Sequence, residues 1–294
     1  MPTTSRPRVV LAEQEHHSPL RRALTRVVLV LFAAGLVVAG VLGARGLMHN
    51  LGGPQCQATA LGQNVTFNPS QTAYAATIDA VAEKRGLPAR AATIGIATAI
   101  QESKLRNLTY GDRDSVGLFQ QRPSQGWGTR EQLLDPVYAA NAFYDALVKI
   151  KGYEGMRITE IAQKVQRSAY PEAYADHEQQ GRLLASTLSG HSPGGLGCRL
   201  DDASQGDAAG LQKALKAELG AAAAVSGRNV TVRAPSERQA WSAGAYAVAK
   251  ADQFGATRVR VGDREWTRTR DSEGWSWHRV SSNLPATSVV VSFP

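Results

Sequence analysis

The sequence has few cysteine and histidine side chains, the residue types most typical of zinc sites. It contains two cysteines and six histidines among 294 residues. The histidines of its central region, His177 and His191, stand isolated from each other and from further candidate ligands. A zinc site needs about three or four such side chains placed together. We therefore expect no metal and no cofactor in this region.

The sequence also lacks a polybasic arm, although its net charge is +8 and its pI is about 9.7. Residues 1–26 contribute +3, from five arginines against two glutamates, and residues 46–204 balance 15 basic against 15 acidic side chains. Residues 205–294 hold 12 basic and 8 acidic side chains, a mild excess of four. Such a surface suits an anionic envelope polymer, and we expect no nucleic-acid partner. A 43% hydrophobic composition excludes wholesale disorder.

One long apolar run stands out near the N-terminus. Residues 27–44 are 18 residues with no charged or hydrogen-bonding side chain, and residues 46–48 extend the run past Arg45. This length can cross a bilayer core of roughly 30 Å. The arginines of residues 1–26 place that tail in the cytoplasm and the rest of the chain outside. A cleaved signal peptide is the alternative, but the run is too long and no small-x-small site follows. We predict a single-pass cell-membrane anchor over residues 27–48.

The outward part divides by composition. Residues 49–70 are rich in Gly, Pro, Gln and Asn and indicate a stalk, and residues 199–210 indicate a linker. Between them, residues 71–198 have Ala-rich helical patterning and predict a mostly α domain, while residues 211–294 predict a small α+β domain. Helices are expected over 71–85, 88–105, 130–150, 158–168, 172–189, 211–219 and 236–253. Strands are expected over 229–233, 257–261, 264–269, 275–280 and 288–293.

Cys56 and Cys198 lie at the two edges of the helical stretch. Both follow the predicted membrane segment and so fall in a compartment that permits disulfides. Two unrelated buried thiols are the alternative. A disulfide that brackets the domain is the interpretation we favour, because it would remove much of the freedom of the unfolded chain.

Glu102 follows two residues after the segment 92–100, which is apolar on all sides, as expected for a helix at the centre of a small domain. Helical geometry places its carboxyl group on a face shared with Ile94 and Leu105. Desolvation there would raise the carboxyl pKa, so that the group could donate a proton to a leaving oxygen, as in glycoside cleavage. An exposed glutamate beside Lys104 and Arg106 is the alternative.

The loop that follows carries a second motif. Glu102-Ser103 at a helix end, followed by Ser115-x-Gly117-Leu118-Phe119-Gln120, resembles the lytic transglycosylase and goose-type lysozyme group. The stretch covers roughly residues 70–190 and looks most similar to actinobacterial membrane-anchored cell-wall members. The resemblance implies a lysozyme-like fold and activity on the MurNAc–GlcNAc β-1,4 bond of peptidoglycan.

The same resemblance implies roles for single residues. Glu102 would be the acid and base, and Tyr170 is a candidate for the tyrosine that assists it, although core packing is the alternative. Substrate contacts would come from the motif loop, at Ser115, Gly117, Phe119 and Gln120. Trp127, in a turn flanked by glycines, has an aromatic face that could stack on a pyranose ring, and a core residue at the domain edge is the equal alternative. Phe119 replaces the usual methionine, and one glycine of the family pattern is absent.

A second carboxylate would distinguish a hydrolase from a lytic transglycosylase, which can use one glutamate as acid and then base. Asp112 and Asp114 are the acidic residues of the motif loop. Either could position a water molecule, but turn formation is the interpretation we favour.

The C-terminal order of elements, ending in the strand over residues 288–293, resembles a domain of cell-wall proteins related to zinc D,D-peptidases. Ser288 and Val290 stand where that group has metal ligands, and only His278 is near. The resemblance therefore implies a metal-free binding or spacer domain. The aromatic set Trp266, Trp275 and Trp277 is more typical of a core than of a sugar platform.

Two classes of function remain from the sequence. The first is a peptidoglycan-cleaving enzyme that acts on glycan strands, favoured by Glu102. The second is a non-catalytic peptidoglycan-binding scaffold that recruits envelope protein partners at a division or secretion assembly. The poor match of residues 165–174 to the family's late motif favours the second.

Overall fold

The structure is a computed structural model that describes residues 35, 40, 52–166 and 177–294. The tail over residues 1–26 and the predicted membrane segment over residues 27–48, apart from Gly35 and Gly40, lie outside the described residues, as does Tyr170. Within the described ranges, no helix is both long and apolar enough to cross a bilayer.

Residues Gly53–Pro294 form one compact unit of mixed α+β structure. Its described part contains nine helices and two antiparallel sheets. The helices are α1 Pro69–Lys84, α2 Ala89–Ser103, α3 Arg130–Leu133, α4 Pro136–Leu147, α5 Ile158–Gln166, α6 Glu178–Leu188, α7 Ala208–Ala214, α8 Glu237–Ala249 and α9 Ala251–Phe254. The strands are β1 Gln55–Ala60, β2 Gln63–Phe67, β3 Leu196–Arg199, β4 Ala223–Ser226, β5 Asn229–Arg233, β6 Arg258–Val261, β7 Arg264–Thr267, β8 His278–Arg279 and β9 Ser288–Ser292.

The stretch with stalk-like composition forms a β-hairpin. Strands β1 and β2 pair antiparallel around Leu61 and Gly62, and β3 pairs with the other edge of β1. Cys56 and Cys198 face each other in the β1–β3 register and are joined in a disulfide, which confirms the predicted pairing. Composition suggested a stalk because the hairpin is short and exposes many of its polar side chains.

Helix α2 is the centre of the helical region, as its apolar sequence predicted. Eleven of its residues are buried, from Ala91 to Ile100 and Ser103. Glycines permit the close approach of neighbours: a Cβ atom at Gly181 of α6 would lie 2.8 Å from the Thr93 carbonyl oxygen. At Gly95 a Cβ atom would lie 2.8 Å from the Tyr144 hydroxyl of α4. Small residues therefore set the spacing of this bundle.

The second sheet has the strand order β4-β5-β9-β6-β7-β8, with every pair antiparallel. Val289 and Val291 of β9, at the centre of the sheet, are buried. Helix α8 packs on this sheet and on α1 and α6, and all its residues from Ala240 to Ala249 are buried. The predicted α+β character of this region is confirmed, while β4 was missed.

Polar pairs join the helical region to the C-terminal region. Arg238 of α8 donates to both carboxylate oxygens of Glu83 of α1 at 2.9–3.0 Å and to the Ser189 carbonyl oxygen at 2.6 Å. The buried Lys250 donates to Thr77 Oγ1 at 2.8 Å and lies 3.4 Å from Glu218. Glu218 belongs to a π-helical turn, Leu215–Leu219, and burial lowers the pKa of Lys250.

Residues 199–210, where composition indicated a linker, are held against the C-terminal region. The Leu200 side chain is buried, and its N–H donates to the Thr269 carbonyl oxygen at 3.0 Å. Asp201 forms an ion pair with Arg270, and its carbonyl oxygen accepts from Arg268. The glycine and aspartate content indicated a flexible segment. In the structure, arginines that are distant in the sequence hold this segment in place.

Candidate active site

Glu102 is the last residue but one of α2 and is half-buried. The helix ends there because Lys104 and Leu105 both adopt the left-handed conformation, with φ of 56° and 54°. The Lys104 N–H donates to the Ile100 carbonyl oxygen, and the Leu105 N–H donates to the Ala99 carbonyl oxygen, six residues earlier, so both bonds satisfy carbonyl groups of the last turn. Leu105 is fully buried, so the chain turns sharply inward directly after the carboxyl group.

Ser103 connects the end of α2 to the motif loop. Its side chain is 4% exposed, and its hydroxyl group donates to the Leu118 carbonyl oxygen at 2.7 Å. Ser103 Oγ also lies 3.0 Å from the Ala99 carbonyl oxygen, and it accepts a hydrogen bond from the Arg106 N–H at 3.2 Å. The Glu-Ser motif and the Gly-Leu-Phe-Gln motif, 15 residues apart in sequence, are therefore in direct contact.

Backbone hydrogen bonds close the motif loop. The Gly117 N–H donates to the Leu108 carbonyl oxygen at 2.7 Å, and the Val116 N–H donates to the Gln121 carbonyl oxygen at 3.1 Å. Gly117 has a φ of 80°, and a Cβ atom there would lie 2.3 Å from the Leu133 carbonyl oxygen. Glycine is thus required at this position by both conformation and space.

Gln120 folds back onto its own loop. Its φ is 48°, and its amide nitrogen lies 3.2 Å from the Gly117 carbonyl oxygen and 3.4 Å from that of Tyr110. A Cβ atom at Gly111 would lie 1.9 Å from the Gln120 amide oxygen, so Gly111 makes room for this side chain. The half-buried Gln120 amide shapes the rim of the loop next to Tyr110, which is 71% exposed.

Phe119 and Ser115 lie in the interior. Phe119 is 0% exposed and stacks on Phe143 of α4, with ring centroids 4.7 Å apart. In this structure Phe119 therefore supports the loop by packing against α4, and its predicted contact with a sugar stays a prediction. Ser115 is 6% exposed, and its N–H donates to the Asp112 carbonyl oxygen at 3.0 Å in a tight turn.

The two aspartates of the loop differ. Asp114 accepts hydrogen bonds from the Ser124 N–H at 2.7 Å, the Ser124 hydroxyl at 3.0 Å and Arg122 Nε at 2.9 Å. The Ser124 backbone hydrogen bond, and next the Arg122 guanidinium, lower the pKa of Asp114 far below its ordinary value. Asp114 therefore holds the turn at Pro123–Gln125, which lies about ten residues later in the sequence, and not a turn at its own position. Asp112 is exposed.

Trp127 lies in the turn that its flanking glycines predicted. Gly126 and Gly128 have positive φ of 80° and 140°, and the Trp127 carbonyl oxygen accepts from the Tyr138 hydroxyl at 3.3 Å. The half-buried ring packs on the core and borders a cavity of about 510 Å³ with Tyr138 and Lys149. Its walls come from residues 125–127, from α4 with the two residues Lys149 and Ile150 after it, and from Lys164 and Val165 of α5.

Strained backbone concentrates around this site. Among the described residues, five that are not glycine have a positive φ; these are Leu61, Lys104, Leu105, Arg113 and Gln120. Four of the five lie within the 17 residues from Lys104 to Gln120. Such conformations cost about 1–3 kcal/mol each and cluster where function requires a fixed geometry.

Asn107 packs next to the loop at Gly117, a position that no sequence motif indicated. Its amide nitrogen donates to the Leu134 carbonyl oxygen at 2.7 Å, while its buried amide oxygen has no hydrogen-bond partner. A Cβ atom at Gly117 would lie 3.6 Å from that oxygen. Its place between Leu105 and Leu108 is the feature of the sequence that could have indicated a structural role for Asn107.

Basic and polar side chains continue the surface at the end of α2. Lys104 Nζ lies 3.5 Å from His177 Nε2, and the Lys104 carbonyl oxygen accepts from Gln71 Nε2 at 2.7 Å. His177 Nδ1 lies 3.0 Å from the Gln180 amide oxygen. Within the ranges that the structure covers, no group of three or more metal-ligating side chains occurs.

Comparison of the chain with protein-family models and with curated proteins gives no match.

Proposed function

We propose that the chain is a membrane-anchored, outward-facing enzyme that cleaves the MurNAc–GlcNAc β-1,4 bond of peptidoglycan. In this proposal the helical region over residues 71–198 is a lysozyme-like domain, and residues 211–294 are an α+β binding domain. The observation that carries the proposal is the Ser103–Leu118 hydrogen bond, because it joins the two motifs of the lytic transglycosylase resemblance beside Glu102.

The chemistry requires a proton at the bridging oxygen as the C1–O bond breaks. Glu102 would donate that proton to the leaving GlcNAc O4. Its carboxylate would then accept the proton of the MurNAc C6 hydroxyl as O6 bonds to C1 and closes a 1,6-anhydro ring. The atoms balance without water, so one carboxyl group suffices. The engagement of Asp114 by Arg122 and Ser124 supports this one-carboxylate route.

Two observations support the proposed compartment. The apolar run over residues 27–44, with its arginine-rich N-terminal flank, would anchor the chain with its N-terminus in the cytoplasm. The Cys56–Cys198 disulfide supports an oxidising location for the remainder, because such bonds persist outside the cytosol.

A binding scaffold is the second candidate. The observation that favours it is that side chains of the motif loop point into the protein. The Gln120 amide nitrogen donates to a carbonyl oxygen of the same loop, and Phe119 is buried. A loop of this kind could hold a glycan strand, together with envelope protein partners, without cleaving it.

The deciding experiment is digestion of purified peptidoglycan with the full-length chain, followed by mass analysis of the products. We expect muropeptides with 1,6-anhydro ends. Glu102→Gln keeps the shape of the side chain but cannot donate a carboxyl proton, so product release should fall by at least about 10²-fold.

Glu131→Gln is the matched control, because Glu131 is an exposed glutamate of the short helix α3. It should release product at the wild-type rate. If wild type and Glu102→Gln both bind peptidoglycan and neither releases product, the scaffold replaces the enzyme.

A further inference from the structure

A cleft of about 820 Å³ lies at the junction of β1, α8 and the C-terminal sheet. We call it the tryptophan cleft and define it by Trp241, Trp275, Trp277, Glu237, Asp263 and Arg264. Its volume is within the range of small-molecule sites, roughly 300–1,000 Å³. None of these residues belongs to the motif loop or to α2.

Three of the five tryptophans of the chain line this cleft. Trp241 and Trp277 meet edge to face, with ring centroids 5.0 Å apart. The Trp277 indole N–H donates to the Leu196 carbonyl oxygen at 2.8 Å, so this ring is fixed and its polar atom is satisfied. What Trp277 offers to the cleft is the surface of its half-buried ring.

Trp275 is held in a similar way. The Arg199 guanidinium lies 5.5 Å from the centre of its ring. Strand β3 packs so closely against its backbone that a Cβ atom at Gly197 would lie 2.3 Å from the Trp275 carbonyl oxygen. Trp266, which the sequence groups with these two, is instead 0% exposed and donates to the Gly274 carbonyl oxygen. The aromatic surface of the cleft is therefore rigid before any ligand binds.

Charged side chains line the same cleft. Glu237 lies in the first turn of α8, Asp263 lies in the turn between β6 and β7, and Arg264 is the first residue of β7. The side chains of Asp263 and Arg264 are 52% and 41% exposed. Arg279 Nε lies 3.1 Å from Asp263 and fixes the carboxylate. The cleft thus presents carboxylate acceptors and guanidinium donors beside aromatic rings, with nearly cancelling charge.

This combination selects a ligand class. The two carboxylates would repel a strongly anionic ligand, and the Arg264 guanidinium would repel a strongly cationic ligand. A pyranose has an apolar C–H face for an indole ring and hydroxyl groups that both donate and accept hydrogen bonds. A proline-rich peptide would use the rings, but its proline residues have no N–H to donate to the carboxylates of the cleft.

We infer that the tryptophan cleft is a second carbohydrate-binding site, which takes a neutral oligosaccharide. The choice of β-1,4-linked N-acetylhexosamine as its sugar rests on the proposed function, since such a strand is the proposed substrate. The cleft would hold one part of the strand while another part reaches Glu102.

The test is calorimetric titration of the full-length chain carrying Glu102→Gln with the tetramer of N-acetylglucosamine. The Glu102→Gln background prevents cleavage of the probe. Trp275→Leu removes a flat aromatic ring from the cleft. Arg264→Gln removes the charge of a half-exposed side chain that is not part of the core. Each should weaken binding at least tenfold. Arg258→Gln, an exposed arginine at the start of β6, is the matched control and should bind as its parent does.

Equal affinity in the Arg264→Gln and Arg258→Gln proteins, with a folded state confirmed by thermal unfolding, would overturn the inference. Binding of a proline-rich peptide in place of the saccharide would also overturn it. Equal affinity for a glucose tetramer would keep the carbohydrate site but remove the N-acetylhexosamine choice. Failure of the proposed function is seen separately, as equal product release by wild type and Glu102→Gln.

Discussion

The Ser103 hydroxyl group donates to the Leu118 carbonyl oxygen across 2.7 Å, in the interior of the protein. Ser103→Ala would leave a buried carbonyl oxygen without this donor, at a cost of about 1–3 kcal/mol of unfolding free energy. Because the bond also places the motif loop against the end of α2, product release from peptidoglycan should fall as well, by about tenfold or more. Denaturant unfolding and a digestion assay measure the two effects.

Ser189→Ala is the matched control for Ser103→Ala. Ser189 is 0% exposed, and its hydroxyl group donates to the Ala185 carbonyl oxygen one turn earlier. This variant should lose stability while keeping its rate of product release. Equal losses of activity in the two variants would assign the Ser103 effect to general destabilisation.

The aspartates of the motif loop should respond differently to substitution. Asp114→Ala removes the acceptor of three hydrogen bonds around Ser124 and Arg122, so we expect local loosening of residues 112–125. Hydrogen exchange of those amides should become faster. Asp112→Ala, at an exposed position, should leave exchange unchanged.

Both aspartate variants should retain more activity than Glu102→Gln if the products carry 1,6-anhydro ends. Reducing ends, together with an Asp112→Ala loss as large as that of Glu102→Gln, would instead indicate a hydrolase with two carboxyl groups.

The Cys56–Cys198 disulfide joins residues 142 apart in sequence. In the chain-entropy model, a closed loop of this length stabilises the folded state by about 5 kcal/mol, because it restricts the unfolded chain. Replacement of both cysteines by alanine should therefore lower the denaturation midpoint markedly. Reductant should shift the wild-type midpoint toward the variant and leave the variant unchanged. Free thiols at both positions in protein purified without reductant would contradict the pairing.

Asp79 should make stability fall as pH rises. Its side chain is buried, Oδ1 has no hydrogen-bond partner, and burial, followed by Glu83, raises its pKa well above the ordinary 3.8. Between the unfolded and folded pKa values the folded protein binds more protons, so ionisation at higher pH favours unfolding. Asp79→Asn should therefore raise Tm at neutral pH, and the gain should vanish below the unfolded pKa.

The exposed Asp145 provides the comparison for Asp79. Its carboxylate lies 2.7 Å from the Arg85 guanidinium, and its side chain is 64% exposed. Asp145→Asn therefore removes a surface ion pair that contributes little to the free energy of unfolding. Its Tm difference from wild type should stay small at both pH values. A pH-independent effect of Asp79→Asn would contradict the buried-carboxylate assignment.

Periodicity predicted the helices and strands whose own residues carry the pattern. Helix α2, expected over residues 88–105, is found at Ala89–Ser103, and β5 is found at Asn229–Arg233 as expected. These elements bury one face or all faces, so apolar spacing records them directly. The short strands β1 to β4 were missed because their pairing partners, and not their own apolar pattern, define them, as when Cys198 of β3 pairs with Cys56 of β1.

The sequence by itself determined the apolar run near the N-terminus, the buried helix that carries Glu102 near its end, the turn glycines and the cysteine pair, because each depends on local composition or spacing. Only the tertiary structure decided that Phe119 packs inward on Phe143, that Asp114 is held by Arg122 and Ser124, and that Trp241 joins Trp275 and Trp277 in one cleft. Those outcomes depend on which side chains from distant segments compete for the same space and hydrogen bonds, and local patterns do not record that competition.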